Sequence, residues 1–208
     1  MLVISIVPAL MSLLRKKTPW HSAYGILSIF LVNRAILNVL SAFLYYYQPN
    51  TIQLSVCFYL NECIFLMLYF IKQTGNSKTL FRVFLIVLII SISASIFIGK
   101  LQDFNYLSTF LSCVFTIVSL TFSRELFLKY KPKILNKDPD FYFVTAIILM
   151  NLPSIIIDIL GSLWQDYMKS FPYATLLARN LMSVLTSFFF TTGFYLLSTL
   201  YSRLRIRK

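Results

Sequence analysis

At 208 residues, 58% hydrophobic and only 12% charged, with a mean hydropathy of +0.76, the chain has too little polar surface to coat a water-soluble globule of its size. Its formal net charge of +12 comes from 19 Lys and Arg against 7 Asp and Glu. These cations stand mostly in short gaps between apolar runs, which points to anionic lipid headgroups and excludes the basic face of a nucleic-acid-binding domain.

The expected fold is all-α: a polytopic transmembrane helix bundle forming one domain over residues 1–208, with no soluble domain. Its apolar runs cover approximately residues 1–14, 20–47, 51–71, 79–99, 105–128, 141–163 and 173–201. About 20 residues are needed to cross roughly 30 Å of hydrocarbon, a length that the last six runs reach and Met1 to Leu14 does not. The expectation is therefore seven spans, or six if that first segment is not inserted. Its cationic cluster Arg15, Lys16 and Lys17 follows the apolar stretch instead of preceding it, the reverse of a cleavable signal peptide, so the segment reads as a retained anchor.

Lys and Arg fill alternate gaps. One side of the bundle receives Arg15 to Lys17, Lys72 and Lys78, then Lys129, Lys131, Lys133 and Lys137, and finally the tail Arg203, Arg205, Arg207 and Lys208, while the other side receives only Lys100 and Lys169. Cationic loops are retained in the cytoplasm, so the N-terminus is expected outside, the C-terminus inside, and the chain in the cell inner membrane as a multi-pass protein. Aromatic residues at the ends of the runs, such as Trp20, Tyr45 to Tyr47, Tyr130 and Trp164, fit headgroup depth. Small residues at four-residue spacing, Ser91 with Ser95, Ser108 with Ser112, and Ser183 with Ser187 and Thr191, allow close helix contact.

Ionisable residues inside these runs cost about 2.5 to 3.5 kcal/mol each on insertion scales and so require a partner or a purpose. At about 1.5 Å of rise per residue, Arg34 lies roughly 20 Å and Glu62 roughly 16 Å from the outer ends of their runs, at a shared depth near the midplane. The two runs are joined by only Gln48, Pro49 and Asn50, which makes them neighbours and an Arg34 to Glu62 ion pair available. Asn33, Asn38 and Asn61 fall in the same layer, and Asn151 of the sixth run reaches that depth. Asp158 and Arg179 form a second candidate pair near the outer surface, whereas Arg124 and Glu125 lie close enough to the cytoplasmic end to snorkel. These residues are either interhelical contacts that lock register or the lining of a polar cavity for a ligand, ion or proton. Pro153, two residues after Asn151, frees backbone carbonyls and favours a cavity if it does more than kink its helix.

No catalytic motif or metal site is expected. His21 is the only histidine and has no second ligand at metal spacing. Cys57, Cys63 and Cys113 all lie within apolar runs as small hydrophobes. Asp138 and Asp140 sit among lysines, whose charge they offset. No cofactor is expected, and the expected partners are anionic lipids at the cytoplasmic face with a partner protein or a second copy of the chain; no nucleic acid is expected.

The stretch Asn136-Lys137-Asp138-Pro139-Asp140-Phe141-Tyr142-Phe143, followed by Ala146-Ile147-Ile148-Leu149, resembles a pattern in uncharacterised multi-span membrane proteins of Bacteroidetes. Those proteins resemble the membrane halves of seven-helix sensor kinases and carry an acidic residue in the third span, the position of Glu62 here. The resemblance implies a sensor-like module whose signal passes through a separate partner, since no kinase sequence is present. In size and layout the chain is also similar to small membrane accessories of phage-defence and type VI CRISPR loci. The expected function is a non-enzymatic sensor or coupling module, with a small transporter or oligomeric pore as the alternative.

Overall fold

The computed structural model describes residues 2–13, 22–47, 52–74, 82, 86, 89, 104–129, 135–163 and 172–206. Among them it is all-helical: α1 (Leu2–Leu13), α2 (Ala23–Tyr47), α3 (Ile52–Thr74), α4 (Phe104–Lys129), α5 (Pro139–Leu163) and α6 (Pro172–Ile206). The helix α1 has 12 residues, a length of about 18 Å that falls short of a hydrocarbon layer. Of the expected run at 79–99, only residues 82, 86 and 89 are described, helical in backbone and with Ile86 and Ile89 exposed; the rest lies outside the described residues.

Two described helices are long and apolar enough to cross a membrane, through Ala23–Leu40 of α2 and Asn180–Leu200 of α6. The seven-span arrangement goes beyond that observation. The cationic positions Arg15 to Lys17, Lys78, Lys100, Lys131, Lys133 and Lys169 lie outside the described residues, as do Trp20, His21 and Trp164.

The chain divides into two compact units, one made of Val3–Arg15 with Ser112–Lys208 and the other of Lys16–Leu111. The first contains α1, the greater part of α4, and the packed pair α5 and α6. Phe143, Val144, Ile147 and Asn151 recur at helical spacing on the buried face of α5, while Thr186, Phe190, Gly193, Phe194 and Leu197 do the same on α6. The centre of this contact is the Phe143 ring, 4.8 Å from the ring of Phe194 and 6.5 Å from that of Phe190. Gly193 lets the helices approach, because a Cβ there would stand 2.6 Å from Phe143 Cε1.

Local chemistry starts α5. The Asp138 carboxylate accepts the Asp140 backbone N–H at 2.9 Å, Pro139 occupies the first helical position, and the Asp138 N–H donates to the Leu135 carbonyl at 3.1 Å. The Tyr142 hydroxyl closes the turn by donating to the Asn136 carbonyl at 3.0 Å. Asp138 is thus a helix cap. An Asp138→Ala protein should lose about 1 kcal/mol of stability, read as a lowered thermal midpoint in detergent, whereas Asp138→Asn should lose much less.

Apolar side chains face outward on several helices. On α6, Leu177, Leu181, Val184 and Phe188 recur every three or four residues with Leu177 70% exposed, and on α2 the stripe is Ile36, Val39, Leu40 and Phe43. Buried positions, in contrast, include Ser112, Thr116 and Ser119 on α4, with Ser119 fully covered. An aliphatic exterior over a partly polar interior is unusual for a protein in water.

Candidate functional site

The second unit holds the layer formed by Asn33, Arg34, Asn61 and Glu62. Ser22 starts α2: its hydroxyl accepts the Gly25 N–H at 3.1 Å and its carbonyl accepts the Ile26 N–H at 3.0 Å. Leu27, Phe30, Leu31 and Ala35 follow as the buried face of α2, and Cys63, Leu66, Tyr69 and Phe70 form that of α3. The two helices pack against each other.

Asn33 donates its side-chain N–H to the Asn61 side-chain oxygen, and one residue along each helix Arg34 Nη1 meets Glu62 Oε1 at 2.9 Å. The ion pair expected between neighbouring runs is therefore formed. The Arg34 guanidinium also lies 5.9 Å from the centre of the Phe30 ring, one turn earlier on the same face. The pair is not sealed, since the Arg34 and Glu62 side chains keep 28% and 20% of their accessible surface. Asn38 is half-buried one turn beyond Arg34, and Cys63 is a free, buried thiol following Glu62.

Asn61 is the most enclosed member of the layer, at 6% exposure. Its oxygen is taken by Asn33, while its side-chain nitrogen finds no hydrogen-bond acceptor among the described residues. Residue order identified the layer, but no sequence signal assigns this spare donor, because it depends on the side-chain rotamers of Asn33 and Asn61.

Asn151 has a different environment. It belongs to the other unit, is 3% exposed, and its side-chain N–H donates to the carbonyl of Ile147 in its own helix at 2.8 Å. That bond engages the amide locally, and among the described residues it has no partner on another helix. The helix α5 continues through Pro153. As for the second expected pair, Asp158 stands as many residues beyond Phe143 as Arg179 stands before Phe194, so the register of α5 and α6 brings their backbones to one height. Their side chains lie outside the described residues.

Among the described residues no group of three His, Cys, Asp or Glu side chains is placed to hold a metal ion. Chemically, the α2–α3 layer offers a neutralised ion pair, amide groups able to donate or accept, and a hydrogen-bond donor still available at Asn61. It contains the elements of a hydrogen-bonding site. No family model, curated protein or solved structure matches this chain.

Proposed function

We propose that this chain is a multi-span helical protein of the inner membrane that acts as a non-enzymatic sensor or coupling module, with Arg34 and Glu62 at its polar centre. The observation that carries the reading is the 2.9 Å ion pair between α2 and α3, two helices whose other inward side chains are mainly apolar. In hydrocarbon such charges are expensive singly and tolerable together. The outward aliphatic stripes of α2, α4 and α6 support lipid as their surroundings, since Ile117, Leu120 and Leu128 of α4 are exposed as well. Signalling passes to a separate protein or to a second copy through the basic loops and tail, in keeping with the resemblance to sensor-kinase membrane halves.

Topology labelling tests the membrane reading. Single cysteines placed at Lys17, Lys100 and Lys133 of a protein lacking Cys57, Cys63 and Cys113 should react with an impermeant maleimide in intact cells only at position 100. Labelling of position 17 or 133 from outside, or release of the protein from membranes by alkaline carbonate, contradicts the arrangement. The alternative role, a small transporter or oligomeric pore, draws support from the residual exposure of Arg34 and Glu62, which leaves the pair reachable. Ion flux in reconstituted liposomes separates the roles: a coupling module gives none, whereas a pore gives flux that is lost on replacing Glu62.

A further inference from the structure

We propose that the α2–α3 polar centre binds an uncharged solute through an oxygen acceptor, with the Asn61 side-chain amide as the hydrogen-bond donor. The proposal deepens the functional reading above and rests on it, because it takes α2 and α3 to lie in the bilayer.

Three observations converge on Asn61. It is 6% exposed, yet its side-chain nitrogen has no acceptor among the described residues. A buried N–H left in this state forfeits its solvation without compensation, and in hydrocarbon no water is at hand to restore it. Asparagine in a helix commonly solves this by donating to the carbonyl four residues back, as Asn151 does to Ile147. Asn61 does not take that route: its oxygen is engaged across the interface by Asn33, and the amide is held between helices with its nitrogen still free to donate.

The neighbouring charges select the kind of acceptor. Arg34 and Glu62 cancel at 2.9 Å, so a further ion would bring uncompensated charge into a low-dielectric layer. A carbonyl, amide or hydroxyl oxygen adds none. The Arg34 and Glu62 side chains beside it are not sealed, at 28% and 20% exposure. The amide of Asn61 would orient the solute, and the ion pair would exclude anions and cations from its place.

The test uses the full chain in detergent micelles with isotope-labelled asparagine, observing the side-chain amide signals by NMR. Asn61→Leu identifies the Asn61 signal by its loss, and Asn61→Gln serves the same purpose if the leucine protein does not fold. Acetamide, an uncharged oxygen acceptor, is titrated in parallel with acetate. The expected result is a saturable shift of the Asn61 signal, with acetamide half-saturating at a concentration about tenfold lower than acetate. Equal or stronger binding of acetate overturns the selection by charge. A signal that exchanges with water and responds to neither solute overturns the ligand site altogether, leaving a hydrated amide. Topology labelling is independent of both results, so correct topology with a silent Asn61 sinks this proposal alone.

Discussion

Replacing Arg34 by leucine while Glu62 stays in place should destabilise the protein by about 2 kcal/mol, somewhat below the 2.5 to 3.5 kcal/mol of a lone charge in hydrocarbon. The reduction reflects the 20% exposure of the Glu62 side chain, which leaves the orphaned carboxylate incompletely enclosed. Removing both charges tells more. Arg34→Leu with Glu62→Leu abolishes the desolvation cost along with the attraction, and replacing a buried pair by packed apolar side chains is often neutral or stabilising. The double variant should therefore recover most of the thermal midpoint lost by the single one. A double variant as unstable as Arg34→Leu alone would show that the guanidinium matters through its place over the Phe30 ring and not through Glu62. The same variant separates the two roles of the pair. If the pair only locks register, coupling to the partner survives with stability; if it belongs to a working centre, coupling is lost in a protein that remains folded.

A single Cβ at Gly193 should be nearly as damaging. The added carbon would lie 2.6 Å from Phe143 Cε1 and 2.8 Å from Cδ1, well inside contact distance, and the Phe143 ring has no free surface into which to retreat. Overpacking of this kind costs about 1 to 3 kcal/mol, with Gly193→Val at the upper end and Gly193→Ala at the lower. Shrinking the opposing side chain gives the control. Phe143→Leu alone leaves a cavity against Phe190 and Phe194, but combined with Gly193→Ala it should give a protein more stable than the sum of the two losses predicts. Strict additivity in a thermal-denaturation cycle would show that α5 and α6 do not meet at these residues.

The two consequences differ in how they could be foreseen. Arg34 and Glu62 can be paired on paper because their helices are consecutive, the connection at Gln48 to Asn50 is too short to let them part, and the rise per residue sets their heights. Asp158 and Arg179 follow the same arithmetic, and the register through Phe143 and Phe194 agrees with it for the backbone. The Asp138-Pro139 start of α5 was also open to reading, from the preference for a capping acid followed by proline. Asn151 shows where height alone fails: sharing a depth says nothing about azimuth, and its amide turns back onto its own helix.

Helix content, the apolar runs and the heights of the ionisable residues were thus determined by the sequence itself, because each depends on composition or on the regular rise of a helix. The choice of Asn33 as donor to Asn61, the spare nitrogen this leaves, and the close approach of Gly193 to Phe143 were decided only by tertiary structure. They depend on how far each helix is rotated about its axis and on which rotamers survive the packing. No one-dimensional pattern contains those quantities, since they arise when two surfaces meet.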